Sequence, residues 1–330
     1  MKAIVYTKYG PPDVLEFKDV EKPTLLDDEV LVEVHAASVN AYDWHFLTAD
    51  VFLIRLMGGG LLRPQKQILG ADIAGKVVAV GKNIIQFRVG DQVFGAAKGG
   101  SGGFAEYVCA TERSLELKPT NVSFEKASTA VMAALTALQG LRDEGQIQQG
   151  QKVLIHGASG GVGTFAVQIA KSFGAEVTAV CSSRNVDTAR SIGADHVIDY
   201  TREDFTKNGK HYDLIFVANG NLPLSKYKQA LEPKGICVLA GGSGGSIFQL
   251  LVGILQGWWN LKIEKKKIGS FMANINQKDL AVMKELLSSG KVNPVIDRRY
   301  PLSETVDAIR YLGEGHAKGK IVIIVKHASK

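Results

Sequence analysis

A glycine-rich stretch in the middle of the chain constrains its fold more than any other feature. The stretch reads HGASGGVG from His156 to Gly163 and places glycines at positions 157, 160 and 163. The apolar residues 153–155 precede it, and residues 164–173 follow with the apolar spacing of a helix. Glycines in such a turn let backbone N–H groups approach a pyrophosphate and let the helix pack closely on the strand. Strand, glycine turn and helix in this order predict a dinucleotide-binding unit, whereas isolated glycines would indicate an ordinary turn.

Length and charge restrict the class of protein. The chain has 330 residues and a net charge of +6, and this length is enough for about two domains. No basic stripe is interleaved with aromatic residues, so nucleic acid is not an expected partner. The three cysteines have no metal-type spacing and are typical of buried, reduced thiols. Since the first residues also lack the pattern of a signal peptide, we expect a cytoplasmic protein.

The hydrophobic pattern changes once along the chain. Residues 1–120 contain short alternating runs separated by Gly and Pro, which predicts a β-rich, barrel-like domain. After Ser123, a plausible N-cap, a helix is predicted over 124–142, and strands then alternate with helices, which indicates a doubly wound parallel sheet of the α/β class. The predicted strands are 152–156, 176–181, 196–198, 212–217, 236–240 and 267–271, and the predicted helices are 162–173, 187–192 and 224–231. We therefore predict a Rossmann domain over 124–272 and a β-rich domain formed by 1–123 and 273–330.

The residues after the second predicted strand indicate which dinucleotide binds. An acidic residue about twenty positions after the glycines would select NAD, but the sequence has Ser182, Ser183 and Arg184 there. Two hydroxyls and a guanidinium suit the 2′-phosphate of NADP, which a carboxylate would repel. The two serines alternatively cap the next helix. The sequence thus predicts NADPH as the cofactor, with Tyr200 either against its adenosine end or simply half-buried.

Further motifs run through the whole chain in a fixed order. They are MKAIV at 1–5, NAYDW at 40–44, LGADIAG at 69–75, GDQVFG at 90–95, GGFAEY at 102–107, ALTAL at 134–138, GGVG at 160–163, GADHVIDY at 193–200 and GKIV at 319–322. In these motifs the chain resembles the medium-chain dehydrogenase/reductase superfamily, and most closely its zinc-free quinone oxidoreductase-like branch. The resemblance implies a GroES-like catalytic domain in the β-rich part, together with the Rossmann domain.

The resemblance also predicts that no metal is bound. Zinc enzymes of this superfamily hold catalytic zinc with a Cys, a His and a Cys or Asp, and the first two positions correspond here to Asn40 and Ala71. The region that matches their four-cysteine lobe, residues 98–102, contains no cysteine. Zinc needs three or four suitable ligands, and the scattered His35, His45 and His156 are better explained as structural residues than as replacements.

Without zinc, the hydride acceptor itself must be electron-poor. Quinones and α,β-unsaturated carbonyls take a hydride directly from a dihydronicotinamide, and the charge on the conjugated oxygen then needs only one or two hydrogen-bond donors. The resemblance implies that Asn40 and a nearby Tyr line this site, but His45 occupies the position of that Tyr. We expect Asn40 to donate an amide N–H to the acceptor oxygen, and Tyr42, His45 or water to donate a proton. Asp43 and Trp44 are more readily explained as loop and core residues.

Other residues are expected to contact the cofactor. The resemblance places Thr136 at the nicotinamide ribose, although a helical Thr also bonds its own backbone. Lys320 resembles a basic position near the cofactor phosphate, or else is a solvated charge at a sheet edge. The remaining predicted contacts come from the glycine loop and from the carboxyl ends of the strands, and they are Gly160, Gly161, Val162, Gly163, Asn219, Gly241 and Phe271.

Two apolar segments, residues 51–57 and 247–259, have three open interpretations. They cover a pocket for a small lipophilic quinone or enone substrate, form a dimer contact, or rest on a membrane surface with Lys262 and residues 265–267 as basic anchors. We expect a homodimer or a monomer. The leading hypothesis is an NADPH-dependent reductase of quinones or activated alkenes. Its alternatives are an NADPH-binding scaffold or redox sensor with little turnover, and a zinc alcohol dehydrogenase.

Overall fold

The chain forms two compact units. The computed structural model describes residues 1–50, 55, 60–220, 222–240 and 267–327. The first unit comprises residues 1–132, 275–289 and 294–330, and the second comprises 133–274 and 290–293. The helix at 124–129, which we assigned to the Rossmann segment, packs on strands of the first unit, and the division therefore falls after residue 132.

The first unit is built on an extended β-sheet. Its strands are β1 (Lys2–Val5), β2 (Glu16–Asp19), β3 (Glu29–Val39), β4 (Asp72–Val80), β5 (Gln92–Ala96), β6 (Tyr107–Thr111), β7 (Leu115–Leu117), β14 (Ile296–Pro301) and β15 (Lys320–Ile324). Its helices are α1 (Ala41–Thr48), α2 (Phe124–Thr129), α7 (Gln277–Ser288) and α8 (Thr305–Gly313). The main sheet has the order β14-β15-β3-β4-β5-β7, with β6 paired to β3, and β1 pairs with β2 in a separate sheet. All pairs in the main sheet are antiparallel except β14 with β15.

The core of the first unit lies against one face of β3. Val30, Val32 and Val34 alternate along this strand and are fully buried, because successive side chains in a strand point to opposite faces. Leu47 of α1 and Ile309 of α8 belong to the same core. These contacts fix α1 to the sheet, and the residues at the start of α1 are positioned accordingly.

The second unit is a parallel six-stranded sheet with helices between its strands. Its strands are β8 (Lys152–His156), β9 (Glu176–Cys181), β10 (His196–Asp199), β11 (Tyr212–Val217), β12 (Leu231–Ala240) and β13 (Lys267–Phe271). Its helices are α3 (Met132–Gln139), α4 (Gly161–Ser172), α5 (Val186–Ser191) and α6 (Leu224–Ala230). The strand order is β10-β9-β8-β11-β12-β13, and every pair is parallel. This is the order of a Rossmann domain, in which ligands bind at the carboxyl ends of the strands.

Most predicted elements of the second unit form, but the first predicted helix does not run without interruption. Residues 124–142 contain α2, α3 and the beginning of a π-helical turn at Gly140–Glu144. Ala130 leaves helical geometry with φ −93° and ψ 32°, which ends α2. The Ser123 side chain accepts from the backbone N–H of Lys126, so this residue does cap α2 as predicted.

The three cysteines lie inside the protein. Cys109, Cys181 and Cys237 are buried free thiols, as the sequence indicates. Among the helices that the structure describes, none is long and apolar enough to cross a bilayer. The apolar segments 51–57 (apart from Arg55) and 247–259 lie outside the described residues, as do Gly241 and Lys262.

Candidate active site and nucleotide-binding loop

The glycine loop of the second unit is held by close backbone packing. Gly157 follows β8 with φ +79°, and a Cβ added there would lie 2.6 Å from the carbonyl oxygen of Asn219. A Cβ on Gly163 would lie 2.0 Å from the carbonyl oxygen of Gly157, which is closer than any real contact. Packing alone therefore requires glycine at these two positions.

Gly160 has no such packing requirement. The nearest atom to an added Cβ is the Gly157 carbonyl oxygen at 3.7 Å, and its φ of −80° suits any residue. Gly160 precedes α4, whose first turn has no side-chain cap. The N–H groups of Gly161, Val162 and Gly163 thus begin a twelve-residue helix at an open position. The loop fits a pyrophosphate, because the backbone is accessible where the phosphates of a dinucleotide would approach.

The other predicted cofactor residues of this unit follow neighbouring strands of the sheet. Ser182, Ser183 and Arg184 come after β9, and Tyr200 comes after β10 and is 57% exposed. Asn219 is exposed after β11. Because these strands are parallel, the residues lie at the same edge of the sheet, in agreement with the sequence-based grouping.

Two further predicted cofactor residues lie on α3 and at the carboxyl end of β13, which belongs to the same edge of the sheet. Thr136 is half-buried on α3. Phe271 ends β13, and its ring packs against Gly140, where an added Cβ would lie 2.9 Å from the ring. Packing therefore accounts for the Phe271 ring, and a cofactor contact for either residue stays a prediction.

A buried histidine supports the base of the glycine loop. Nδ1 of His156 lies 2.8 Å from the Tyr227 hydroxyl, and the His156 carbonyl accepts from the backbone N–H groups of Ala218 and Asn219. Burial lowers the pKa of His156 to about 4, so the imidazole is neutral near pH 7. His156 thus joins β8 to the loop after β11.

In the first unit, the start of α1 is tied to a neighbouring loop. The backbone N–H of Asn40 donates to Asp43 Oδ2 at 2.8 Å, and the backbone N–H of Gly70 donates to Asp43 Oδ1 at 2.9 Å. Asp43 is fully buried. An acidic residue at the third helical position is a known capping arrangement, so the spacing between Asn40 and Asp43 could have predicted this helix start.

A buried polar cluster surrounds the Asn40 side chain. Lys320 Nζ donates to Asn40 Oδ1 and, at 3.1 Å, to the Val39 carbonyl. Asn40 Nδ2 donates to Asp72 Oδ2 at 3.0 Å and to the Ser38 carbonyl at 3.4 Å. The same Asp72 oxygen accepts from the Ser38 hydroxyl and the Met132 backbone N–H, while Asp72 Oδ1 is buried without a hydrogen-bond partner in the described structure. The oxygen and the nitrogen of the Asn40 side-chain amide are therefore both hydrogen-bonded within the protein.

Burial controls the charges of this cluster. Desolvation raises the pKa of Asp72 to about 6 and that of Asp43 to about 7, although the Lys320 ammonium partly opposes both shifts. Desolvation also lowers the pKa of Lys320, against the attraction of the two carboxylates. Near neutral pH, the Lys320 side chain therefore faces a largely ionised Asp72 and an Asp43 that is only partly ionised.

The structure corrects one interpretation of Lys320. Only 3% of this residue is exposed, so it is not a solvated charge at a sheet edge. A contact between Lys320 and a cofactor phosphate remains a prediction. Sequence reasoning also missed Ser38 and Asp72, because nothing in their local patterns indicates that β3, β4 and β15 bring them to one place.

Two further candidates lie on one side of α1. Tyr42 and His45 are three residues apart, which makes them neighbours on a helix surface, and the Tyr42 ring packs on Phe46 at a centroid distance of 4.3 Å. Burial raises the pKa of Tyr42 to about 12, so its hydroxyl keeps its proton. His45 Nδ1 lies 3.0 Å from both carboxylate oxygens of Asp50.

The resemblance places Asn40 and Ala71 where zinc enzymes of the superfamily have ligands, and both side chains differ from the Cys and His of those enzymes. Asn40 is bonded to a lysine, and Ala71 contributes a buried methyl group. Within the described ranges, no group of three or more His, Cys, Asp and Glu side chains is placed to hold a metal ion.

Two family models match separate parts of the chain. The model described as "Alcohol dehydrogenase GroES-like domain" matches residues 26–120. The model described as "Zinc-binding dehydrogenase" matches residues 192–323. The first unit therefore contains a GroES-like domain, and the parallel sheet of the second unit completes the expected α/β fold.

Several proteins that match nearly the whole of this chain are oxidoreductases by name. The chain is 32% identical to the chloroplast envelope quinone oxidoreductase homolog of Arabidopsis thaliana, and the match covers 98% of both chains. It is also 32% identical to the chloroplastic NADPH-dependent alkenal/one oxidoreductase of the same plant, over 98% of this chain and 79% of the relative. The solved structure of the quinone oxidoreductase from Coxiella burnetii has a TM-score of 0.86 at 30% identity and covers 99% of both chains.

The glycine loop yields a paired prediction. Gly163→Ala should destabilise the protein by about 3 kcal/mol, because its Cβ would overlap the Gly157 carbonyl. Gly160→Ala should change stability by less than about 1 kcal/mol but weaken NADPH binding about tenfold, because the methyl group would occupy the approach of the phosphates. Urea denaturation and calorimetric titration with NADPH measure the two effects. Unchanged NADPH affinity in Gly160→Ala would contradict the assignment.

The Asp72 carboxyl yields a prediction about pH. Its pKa is raised from 3.8 to about 6, so the folded state binds a proton that the unfolded chain releases, and rising pH destabilises the fold through this group. Relative to the unaltered protein, Asp72→Asn should therefore gain about 2 kcal/mol of unfolding free energy between pH 4 and pH 7. Urea denaturation at a series of pH values measures this gain. Ser38→Ala, which removes a hydrogen bond and keeps the carboxyl, should show no such gain, and an equal gain in both variants would contradict the prediction.

Proposed function

Because the chain belongs to the medium-chain dehydrogenase/reductase superfamily, in its quinone oxidoreductase-like branch, we propose that it is an NADPH-dependent reductase of quinones or α,β-unsaturated carbonyls that uses no metal. Reduced NADPH supplies the hydride when it is bound. The names of the relatives support both acceptor classes, and Ser182 and the exposed Arg184 support NADPH as the donor.

One observation carries the metal-free part of the proposal. The Asn40 side-chain oxygen, at a position where zinc enzymes of the superfamily have a ligand, already accepts from the Lys320 ammonium. A metal cation at this oxygen would have to displace a buried positive charge, and like charges at such short distances repel strongly where water is excluded. We therefore regard Asp72 and Lys320 as positioning residues. They orient the Asn40 side chain, and they place fixed charges beside the position at which zinc enzymes of the superfamily have a ligand.

The chemistry suits an acceptor that needs little activation. Hydride addition to a quinone or an enone places negative charge on a conjugated oxygen, which a hydrogen-bond donor stabilises. Asn40 is less suited to this task than its sequence position suggests, because its amide hydrogens already have acceptors in Asp72 and Ser38. We therefore assign the donor to Tyr42 rather than to Asn40.

The environments of the two helix residues favour Tyr42 over His45. The high pKa of Tyr42 keeps its proton available over the whole working range of pH. Within the described part of the chain, no side chain or carbonyl bonds its hydroxyl. The His45 ring is instead paired with Asp50. A hydroxyl that keeps its proton and has no hydrogen-bond partner among the described residues is free to donate to a substrate oxygen.

The remaining residues complete the proposed cofactor site. The backbone of Gly160, Gly161, Val162 and Gly163 binds the pyrophosphate, and Arg184 binds the 2′-phosphate. The other proposed contacts are Thr136, Ser182, Ser183, Tyr200, Asn219, Gly241, Phe271 and Lys320.

The proposed reaction can be tested directly. The purified protein should consume NADPH in the presence of quinones or enones, with loss of absorbance of the dihydronicotinamide. It should retain this activity after treatment with a zinc chelator and contain no stoichiometric zinc by elemental analysis. Tight NADPH binding without consumption by any acceptor would favour a scaffold or redox sensor, and alcohol-dependent reduction of NADP with bound zinc would favour an alcohol dehydrogenase.

The assignment of Tyr42 predicts the effect of removing one hydroxyl. Tyr42→Phe should lower kcat about 100-fold, because the substrate oxygen loses a hydrogen bond that forms as charge develops. The KM for NADPH should stay unchanged. The matched variant His45→Gln, on the same side of α1, should change kcat less than about threefold. Steady-state kinetics at saturating NADPH measure both variants, and a larger loss in His45→Gln would transfer the role to the histidine.

A further inference from the structure

Two loops of the second unit leave the sheet side by side. β9 and β10 are parallel neighbours, and their last residues, Cys181 and Asp199, are paired in register. The segment 182–184 and the segment 200–201 therefore begin at the same edge. The residues that we expect at the adenosine end of the cofactor thus lie beside a carboxylate from the next strand, which linear spacing along the chain does not reveal.

The Asp199 carboxylate binds the hydroxyls around it. Ser183 Oγ donates to Asp199 Oδ2 at 2.5 Å, and Thr201 Oγ1 donates to Asp199 Oδ1 at 2.7 Å. The Thr201 backbone N–H donates to the same Oδ1 at 3.0 Å. The bond from the Ser183 hydroxyl, followed by those from Thr201, holds the pKa of Asp199 below its usual value, so the carboxylate is ionised at neutral pH. Arg202 Nε, on a largely exposed side chain, lies 3.5 Å from Asp199 Oδ2.

The position of the protons follows from this charge. The Ser183 and Thr201 hydroxyl oxygens also lie 3.0 Å apart, but the contacts of both to Asp199 are shorter. Because an ionised carboxylate only accepts and each hydroxyl has one proton, we take both protons to be donated to Asp199. Their lone pairs are left for any ligand. A ribose 2′-hydroxyl can donate to those lone pairs, whereas a 2′-phosphate offers only acceptors and also meets a like charge. The exposed guanidinium of Arg184 acts in the opposite direction, because it attracts a phosphate.

We propose that Asp199 is a specificity-determining residue that limits the preference of this site for a 2′-phosphorylated nucleotide over the unphosphorylated one. The inference rests on the proposed function, because it takes the segment 182–184 to face the adenosine end of a bound dinucleotide. Arg184 draws the 2′-phosphate in, while Asp199 repels it and retains the Ser183 proton. Selectivity for NADPH is then the difference between two opposing contributions rather than the result of Arg184 alone.

Adenosine fragments test this inference without turnover. Asp199→Asn in the full chain removes the charge and keeps one oxygen, which we expect to accept from the Thr201 hydroxyl and N–H, while the amide NH₂ replaces the oxygen that accepts from Ser183. Calorimetric titration should show that 2′,5′-ADP binds about three- to tenfold more tightly than to the unaltered protein, while the affinity for 5′-AMP changes less than about twofold. The KM ratio of NADH to NADPH should rise by a similar factor.

A second carboxylate in the same unit provides a matched control. Asp204 Oδ1 accepts from the Thr206 backbone N–H at 2.9 Å and from Thr206 Oγ1 at 2.7 Å, the same arrangement that Asp199 has with Thr201. No hydrogen bond within the described residues links Asp204 to the segment 182–184. Asp204→Asn removes the same charge from the chain and should leave the affinities for both fragments unchanged.

The Ser183 hydroxyl distinguishes this inference from a direct contact to the phosphate. Ser183→Ala should leave 2′,5′-ADP binding within about twofold in the unaltered protein but weaken it at least threefold in Asp199→Asn, where the proton is released. Unchanged or weaker 2′,5′-ADP binding in Asp199→Asn, with 5′-AMP still bound, would overturn the inference alone. Failure of the unaltered protein to bind either fragment or NADPH would overturn the proposed function and the inference with it.

Discussion

A buried ammonium needs acceptors, and this need organises the polar residues of the first unit. The Lys320 ammonium donates to the Asn40 side-chain oxygen and to the Val39 carbonyl. The Asp72 carboxylate, which accepts from the Asn40 side-chain nitrogen, balances the charge of Lys320. Removing one partner of such a group leaves another charge buried without compensation, which costs more than the net worth of the pair. Asp72 of β4 and Lys320 of β15 therefore hold the Asn40 side chain in place, and its amide is not free to turn toward a substrate.

The second unit separates two uses of glycine that look identical in the sequence. Gly157 and Gly163 are required because backbone atoms approach them, whereas Gly160 leaves open space beside an uncapped helix start. Only the glycine at the open position, Gly160, indicates a ligand, because the packing of the fold itself requires the other two glycines. The same unit shows that a site with hydroxyls and an arginine is not uniformly suited to phosphate, since the ionised Asp199 fixes the hydroxyl protons in one direction.

Much of the fold follows from local sequence, while the polar sites depend on contacts between distant strands. The alternation after Ser123 predicted the parallel sheet, and β8, β9, β11 and β13 have the predicted bounds, because buried parallel strands read as continuous apolar runs. The sequence does not predict the short β14, which has no buried residue, or the short α1, since few residues carry their signals. Strand register brings Asn40 to Lys320 and Ser183 to Asp199, and the sequence around each residue does not reveal these partners.

The packing of α8 on α1 has a practical consequence. Gly313 leaves room for the indole of Trp44, and a Cβ there would lie 2.2 Å from the ring. Trp44 is the sole tryptophan in the sequence of the first unit, because the other two, at 258 and 259, belong to the second. It sits between Tyr42 and His45 on the same helix. With Trp258 and Trp259 replaced by phenylalanine, its fluorescence is consequently an optical probe of this helix, and a bound quinone, as an electron acceptor, would quench that emission without any label having been attached.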